Sequence, residues 1–449
     1  MEKIRIALVA QSINEETYKE LAFPIGLCYL ASYAEKYCNS ELDIRLYDGT
    51  VKAEEIDADI VGISSMSRYI PRAAALAAEL KKRGQCTVII GGPHITALPH
   101  TLNEAFDVGV IDEGEATFLE LLKVYSVHRS LPPRILADIK GISHHSGNDV
   151  KVTEPRPHIE PLDTIPYPAR HLWNIKDKVK WIASSRGCPY QCAFCGLARS
   201  KYRKFPADYV LQELMEMKDC YGIKAAIFQD DLFIADKRRL KEIVDLIVKH
   251  RLHEELSFMV SLRADLIDET VLELLKAMNV TNIFMGIESG SQKVLNFLKN
   301  LTISVAEMQN AIDLCHRYTI QIEGSFIIGS PMEKPEDIEA TYNFIYNNYT
   351  AGKLDMIAVY ILTPFPGTRV WQMAKERGLV DDDMDWSRLN LFTIDEFSPE
   401  RFIYLNEKMP VEQFSLYVEA FRKLLLTVNR KGMGRIVKNI FEPMHVSYE

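Results

Sequence analysis

The sequence of 449 residues lacks the features of several large protein classes. No stretch approaches the roughly 18 to 20 uncharged apolar residues of a membrane-spanning helix, and the segment MEKIRIALVAQSINEE does not have the layout of a secretory signal. Basic residues are not in excess, because 53 Lys and Arg stand against 62 Asp and Glu, a formal net charge of −9. This balance argues against a surface that binds nucleic acid along its length. We expect a cytoplasmic protein without a membrane span or a nucleic-acid partner.

Internal repeats and low-complexity tracts are also missing, so a solenoid or a disordered chain is not expected. Apolar residues make up 47% of the sequence and aromatic residues 10%, which are ordinary values for globular proteins. The length exceeds that of a usual single domain, and we therefore expect two or three domains.

The first part of the chain, residues 1–130, alternates short apolar runs with helical patterns, as in KIRIALV followed by PIGLCYLASYAEKY. This alternation predicts an α/β domain with a parallel sheet of five strands in flavodoxin/Rossmann-like order. Ligands of such sheets bind beyond the carboxyl ends of the strands. Small and polar residues fall there, and turn formation or helix capping would also account for them: Ser64, Ser65, Ser67, Gly91, Gly92, Glu113 and Gly114.

The rest of the chain predicts a linker and two further domains. Residues 131–180 are rich in proline and weakly periodic, as expected of an ordered crossing segment. Residues 181–374 contain six strand-like runs, from WIASS to DMIAVYI, and predict a partial (β/α)6 barrel of the TIM type. One intervening segment, KRRLKEIVDLIVKH, places Leu240, Ile243, Val244 and Ile247 on a single helix face. Residues 375–449, with VEQFSLYVEAFRKLLL, predict a small helical C-terminal domain.

Cysteine is scarce, with 8 in the chain, which excludes a disulfide scaffold. Cys188, Cys192 and Cys195 nevertheless share one short loop after the first predicted barrel strand. Their spacing indicates a metal centre. A structural zinc ion usually takes four protein ligands, and no second Cys or His pair accompanies these three. An iron-sulfur cluster held by three cysteines keeps one iron open to a substrate; zinc and purely structural cysteines are the alternatives.

This CxxxCxxC motif, with Phe194 just before its third cysteine, resembles the signature of the radical S-adenosylmethionine (SAM) superfamily. The resemblance implies a 4Fe-4S cluster on the three cysteines, with SAM bound beside it. Further strand ends match in order, and the SAM-binding residues implied are Phe194, Asp230, Asp231, Arg263, Glu288 and Gly329.

Each implied SAM contact has a chemical reason. Carboxylates such as Asp230 and Asp231 can hold an ammonium group, and the Arg263 guanidinium can hold a carboxylate. Glu288 can bind ribose hydroxyls, and the backbone around Gly329, in GSFIIGSPME, would meet the adenine. A helix cap for Asp231 and salt bridges for Arg263 and Glu288 are the structural alternatives.

The N-terminal domain resembles, segment by segment, the cobalamin-binding domain that precedes the barrel in one large radical SAM class. The segments are FPIGLCYLASYAEKY, ADIVGISSMSRYIPRA, VIIGGPHITALP and DVGVIDEGEATFLELL. The DxHxxG motif that supplies an axial histidine in some cobalamin proteins is absent, and Asp48, Gly49 and Thr50 occupy its region. We therefore expect cobalamin, if bound, to have no protein imidazole on its lower face, and His94 to be a loop residue and not a ligand.

Together these resemblances imply a cobalamin-dependent radical SAM methyltransferase. One SAM would methylate reduced cobalamin. A second would be cleaved to a 5′-deoxyadenosyl radical, which activates an unactivated carbon to take the methyl group from methylcobalamin. The alternatives are a non-methylating reaction such as oxidative cyclisation, ring contraction or carbon-carbon coupling, a methylthiotransferase, and a cobalamin-responsive sensor. Cys28, Cys38 and Cys86 look like packing residues, which disfavours the methylthiotransferase, and a sensor would not need a complete SAM pocket.

The substrate is open: a peptide or protein side chain, a lipid or a small natural product would each suit. Tyr360, Thr363, Trp386 and Phe392 are candidates for a substrate pocket or for ordinary core positions. Because the sequence contains one cluster motif, an external one-electron donor of flavodoxin or ferredoxin type is implied.

Overall fold

The computed structural model describes residues 3–11, 23–84, 86–173, 179–389 and 393–441. The chain forms two compact units, Met1–Asp177 with Val380–Leu389, and Lys178–Leu379 with Asn390–Glu449. Among the described residues, no helix combines the length and hydropathy needed to cross a membrane. Phe392 lies outside the described residues.

The first unit is built on a sheet in the order β2-β1-β3-β4-β5-β6-β7. Its first five strands are parallel, which confirms the predicted flavodoxin-like order. The strands are β1 Ile4–Ala10, β2 Leu42–Asp48, β3 Ile60–Ser64, β4 Thr87–Gly91, β5 Val108–Val110, β6 Ile142–Ser146 and β7 Asp149–Val152.

Helices cover both faces of this sheet, as its sequence requires. Along β1, Ile6 and Leu8 pack in one apolar cluster while Ala7 and Val9 pack in another on the opposite face. A strand that is buried on both faces has a continuous run of apolar residues and not an alternation of apolar and polar residues. The helices are α1 Ile25–Tyr37, α2 Ile70–Arg83, α3 Pro93–Ala97, α4 Glu115–His128 and α5 Pro133–Leu136.

Strands β6 and β7 extend the sheet beyond the predicted five. β6 pairs antiparallel with β5, and β7 pairs antiparallel with β6. Both lie within the stretch interpreted from sequence as a linker, because their polar residues and the surrounding prolines conceal the strand pattern. The predicted domain limits at 130, 180 and 374 stay predictions. Residue 374 falls within a helix, Arg369–Glu376.

The second unit contains a six-stranded parallel sheet in the order β8-β11-β12-β13-β14-β15, which confirms the predicted partial barrel. Its strands are β8 Val179–Ile182, β11 Ala225–Phe228, β12 Ser257–Leu262, β13 Val280–Glu288, β14 Gln321–Ile328 and β15 Met356–Ile361. A separate antiparallel pair consists of β9 Ser185–Arg186 and β10 Arg203–Lys204.

The helices of this unit include one whose buried face was predicted from its periodicity. In α7 the buried residues include Leu240, Ile243, Val244 and Ile247, the face predicted from their spacing. The helices are α6 Ala207–Tyr221, α7 Lys237–Lys249, α8 Leu252–Glu255, α9 Glu269–Ala277, α10 Gln292–Lys299, α11 Val305–Arg317, α12 Pro335–Thr350, α13 Arg369–Glu376 and α14 Val411–Phe441.

The two faces of the barrel strands differ in burial. Ile283, Met285 and Ile287 of β13 are buried, whereas Phe284 and Gly286 between them are only half-buried. Successive side chains of a strand point to opposite faces, so the half-buried positions line the barrel interior. Side chains that carry chemistry are expected at the carboxyl end of this interior.

Candidate functional site

The loop that carries the three cysteines is closed at its base by β9 and β10. Gly187 opens the loop with φ of +83°, and a Cβ there would clash with the carbonyl oxygen of Lys201. Only glycine fits this position. The backbone N–H of Cys188 donates to Ser200 Oγ at 2.8 Å, so the first cysteine is fixed against the far end of the loop.

The middle of the loop is docked through Ala193, which is 1% exposed. Its N–H donates to the carbonyl of Leu298 at 2.9 Å, and its carbonyl accepts from the N–H of Val370 at 3.1 Å. The ends of α10 and α13 thus hold the backbone between Cys192 and Phe194. This backbone position is set by residues distant in the sequence.

Cys188, Cys192 and Cys195 are half-buried and free of disulfides. Burial raises the pKa of Cys188 and of Cys195, and the neighbouring cysteine sulfurs raise both pKa values further. Among the described residues, no three His, Cys, Asp or Glu side chains converge closely enough to hold one metal ion. Three cysteines on one loop match a cubane cluster that keeps one iron free of protein ligands, whereas a structural zinc ion normally takes four protein ligands. This donor set fits the cluster better than zinc.

Asp230 and Asp231 accept hydrogen bonds from residues 184–187, which lead into the cysteine loop. Asp230 is 5% exposed and accepts from the N–H of Ser184 at 3.1 Å and from the hydroxyls of Ser184 and Ser185. Burial raises the pKa of Asp230 to about 6. Asp231 accepts from the N–H of Gly187 at 2.8 Å. The predicted role of both carboxylates in holding the SAM amino group stays a prediction.

Arg263, which follows β12, lies beside the cysteine loop. Its Nε donates to Asp265 Oδ1 at 3.0 Å, its guanidinium carbon is 3.5 Å from the centre of the Tyr190 ring, and its Nη1 lies 3.8 Å from Cys192 Sγ. The Arg263 guanidinium therefore lies next to the second cysteine of the loop. The contacts of Arg263 with Asp265 and with Cys192 could not be predicted from the sequence.

Glu288 ends β13 with φ of +65°, a left-handed conformation that is uncommon outside glycine. Its Oε1 lies 2.7 Å from Lys299 Nζ, and the two side chains are only 6% and 7% exposed. The pairing of Lys299 with Glu288 was not predicted, because in the sequence Lys299 looks like an ordinary charged residue near the end of a helix. Glu288 also borders a cavity of about 200 Å³ inside the barrel unit, together with Phe194, Ser325, Ile327, Tyr360 and Thr363.

The Gly329 segment is held by Glu333. Gly329 has φ of +88°, and its N–H and that of Ser330 donate to Glu333 Oε2 at 2.5 and 3.0 Å. Within the described part of the chain, Ser330 Oγ and Glu333 Oε1 are buried without a hydrogen-bond partner. Buried polar atoms without a protein partner fit a polar ligand such as the nucleoside of SAM.

Glu333 makes stability depend on pH. Burial raises the pKa of Glu333 to about 8, so between about pH 4.5 and 8 the folded protein retains a proton that the unfolded chain has lost. The free energy of unfolding should therefore fall as pH rises through this window. We expect Glu333→Gln to flatten that fall in urea titrations made at several pH values. The exposed Glu336→Gln is the control, and an unaltered slope in Glu333→Gln would contradict the assignment.

In the first unit, the predicted cobalamin residues meet at the carboxyl edge of the sheet. Ser64 lies beside Gly91 in register, and the N–H of Ser65 donates to the carbonyl of Gly91 at 3.0 Å. Gly92 has φ of +97°, and a Cβ there would lie 2.9 Å from the Ser65 backbone. Because these residues are small, no large side chain covers this edge of the sheet where the flat ring of cobalamin would lie. Residues 12–22, which follow β1 and Gln11, are outside the described residues.

Glu113 and Gly114 lie at the same edge, after β5. Gly114 is the N-cap of α4. Glu113 borders a small crevice with Arg156 and His158, and His158 Nε2 lies 2.6 Å from Asp112 Oδ2. The role of these residues in holding cobalamin stays a prediction.

His94 is buried at 2% exposure. Its Nδ1 lies 3.0 Å from Ser67 Oγ and its Nε2 lies 3.1 Å from Thr101 Oγ1. Burial lowers the pKa of His94 to about 4, so the ring is neutral near pH 7. Trp386 packs edge-on against it, with ring centres 4.7 Å apart, whereas Tyr360 and Thr363 line the barrel cavity. His94 lies in α3 and not in a loop as expected. With both ring nitrogens engaged, it fits a structural role and not that of an axial ligand.

A substitution at Gly92 tests whether the carboxyl edge of the first unit's sheet binds cobalamin. Gly92→Ala forces a side chain into a left-handed position against Ser65, which should cost about 1 to 3 kcal/mol and lower the cobalamin bound per chain. Gly26→Ala is the control, because a Cβ at Gly26 in α1 meets no atom within 4 Å. Denaturant unfolding and cobalt analysis give the readout. Unchanged stability and unchanged cobalamin binding in Gly92→Ala would show that this edge of the sheet is not part of the cobalamin site.

Two family profiles match the chain. The profile of the Radical SAM superfamily matches residues 182–345, and that of the B12 binding domain matches residues 13–122. The first range contains the cysteine loop and strands β11 to β14, and the second contains strands β2 to β5.

Curated relatives span both units. An uncharacterized methyltransferase of Pyrococcus horikoshii is 32% identical over 391 residues, covering 81% of each chain. The bacteriochlorophyllide d C-8(2)-methyltransferase of Chlorobaculum tepidum is 26% identical over 422 residues, covering 89% of this chain and 85% of its own. The radical SAM methyltransferase TsrM from Kitasatospora setae, solved with tryptophan and a SAM analogue, shares the fold with a TM-score of 0.67 at 17% identity, covering 84% of this chain and 77% of its own.

Proposed function

The chain belongs to the radical SAM superfamily and carries a B12 binding domain ahead of its radical SAM domain, and we propose from this that it methylates an unactivated carbon of its substrate. Membership confirms the cofactors predicted from the sequence, a 4Fe-4S cluster, SAM and cobalamin. The observation that carries the proposal is that relatives named as methyltransferases match across most of the chain.

When bound, the cluster supplies the electron that cleaves SAM, and cobalamin carries the methyl group. The chain's own residues hold and orient these groups. Cys188, Cys192 and Cys195 would hold the cluster, and Arg263 would keep a positive charge beside the Cys192 sulfur. Phe194 and Glu288 border the barrel cavity and would orient SAM there while excluding bulk water.

In the N-terminal unit, the small residues at the carboxyl edge would hold cobalamin. Because both His94 nitrogens already have hydrogen-bonding partners, we propose that His94 does not ligate the cobalt. The sequence contains one cluster motif, so electrons must come from outside. A flavodoxin or ferredoxin of the cytoplasm is the proposed donor.

The test is product analysis on protein reconstituted anaerobically with iron, sulfide and hydroxocobalamin, then supplied with SAM and a strong reductant. Formation of both deoxyadenosine and S-adenosylhomocysteine is expected, since methyl transfer consumes SAM in two different ways. Deoxyadenosine without S-adenosylhomocysteine would retain the radical reaction and overturn the methyl transfer.

A further inference from the structure

The barrel interior contains a carboxylate that neither the cluster nor SAM requires. Glu323 lies in β14, and its neighbours Ile322 and Gly324 are buried on the helix-covered face. Glu323 itself is half-buried. By the alternation of the strand, its side chain therefore belongs to the interior face, with Ser325 and Ile327.

Strand register orders the interior into layers. Ile327 and Tyr360 lie side by side in the uppermost layer and border the cavity with Glu288. Below them, Ser325 lies between Gly286 and Ala358. Ser325 and Ala358 have small side chains and leave room at the floor of the cavity, whereas the Glu288 carboxylate and the Lys299 ammonium lie over Gly286.

The next layer down contains Glu323, between Phe284 on one side and Met356 on the other. It lies two residues below Ser325, or roughly 7 Å along the strand. A long carboxylate side chain at this depth can reach toward a molecule that enters the cavity through the gap above it.

Glu323 has no hydrogen-bond or ion-pair partner among the residues that the structure describes. The cations near the cavity have partners of their own, since Lys299 pairs with Glu288 and Arg263 pairs with Asp265. Burial raises the pKa of Glu323, which reflects the cost of holding a charge there. A half-buried carboxylate without a partner is costly unless a ligand supplies the missing cation.

We propose that Glu323 binds a positively charged nitrogen of the substrate, so that the substrate is an amine or guanidine attached to an apolar body. This inference rests on the proposed function and deepens it, because it places the substrate nitrogen in the barrel interior below the part of the cavity where Phe194 and Glu288 would orient SAM. The apolar neighbours Phe284 and Met356 would contact the apolar body, and the faces of Phe284 and Tyr360 are suited to a cation. The Glu323 carboxylate would accept hydrogen bonds from the charged nitrogen.

The test compares three probes of one shape, 4-phenylbutylamine, 4-phenylbutan-1-ol and 4-phenylbutyrate. Their binding to the anaerobically reconstituted full-length protein is followed by ligand-observed NMR titration. The ammonium probe should bind about tenfold more tightly than the alcohol, equivalent to about 1.4 kcal/mol, and the carboxylate probe should bind most weakly. Glu323→Gln should abolish this preference, and Glu323→Asp should retain part of it.

Glu273→Gln is the matched control, because it removes one negative charge from the exposed surface of α9, and it should keep the preference. Equal binding of the three probes, no saturable binding of the ammonium probe up to about 10 mM, or a preference that persists in Glu323→Gln would each overturn the proposal. The titration needs neither reductant nor turnover. A charge preference without S-adenosylhomocysteine formation would therefore refute methyl transfer alone, and the converse would refute the role of Glu323 alone.

Discussion

Replacing Cys192 with alanine is expected to abolish deoxyadenosine formation and to reduce bound iron from about four atoms per chain to nearly none. Two cysteines from one short loop cannot hold a cluster that already leaves one of its irons without a protein ligand. The loss should be of the cluster and not of the fold, because the loop is fixed through its backbone at Gly187, Cys188 and Ala193. Iron analysis and chromatography of the SAM-derived products measure the effect.

The chain offers a matched control in Cys220, an exposed free cysteine at the end of α6. Cys220→Ala removes the same atoms at a distance in sequence from the loop and should leave iron content and deoxyadenosine formation unchanged. Undiminished deoxyadenosine formation by Cys192→Ala would refute the cluster assignment. Circular dichroism of both variants should show the native content of helix and strand.

The second large effect is expected at Glu288. Glu288→Gln leaves the Lys299 ammonium buried without its partner, which should destabilise the protein by roughly 3 to 5 kcal/mol. The variant should also bind SAM more weakly, since Glu288 borders the cavity. A weaker affinity alone would not separate a ligand contact from a loss of structure. Denaturant unfolding and equilibrium binding of SAM must both be measured.

A double variant, Glu288→Gln with Lys299→Met, separates these two roles. Removing both charges should restore most of the lost stability, because a buried ion pair can be replaced by apolar groups at little cost. If Glu288 contacts the SAM ribose, the double variant regains stability but keeps the weakened affinity for SAM. Such a contact stabilises bound SAM equally in the ground state and in the transition state. Full recovery of SAM affinity would show that Glu288 acts only through Lys299.

The fold could be predicted largely from local patterns. The spacing of Leu240, Ile243, Val244 and Ile247 predicted the buried face of α7, and the alternation of apolar runs with helices predicted the parallel strands of both sheets. Strands β6 and β7 were missed, because antiparallel pairing at an edge tolerates polar residues such as His144 and Lys151. Propensity carries little signal for such strands.

The candidate site was predictable in position but not in its contacts. Asp230 and Arg263 were expected at strand ends and lie there, because strand ends follow from apolar runs. Their partners come from elsewhere: Ser184 is 46 residues before Asp230, and Cys192 is 71 before Arg263. No periodicity links residues so far apart. The same holds for Lys299, whose pairing with Glu288 depends on the packing of α10 against the end of β13.

The most direct test of the central claim is the metal content of the reconstituted, desalted protein. If one chain holds a 4Fe-4S cluster and a cobalamin, quantification should give about four irons and about one cobalt per chain. Gly92→Ala should lower the cobalt alone, and Cys192→Ala should lower the iron alone. Zinc in place of iron, or iron without any cobalt in the wild-type protein, would contradict the account.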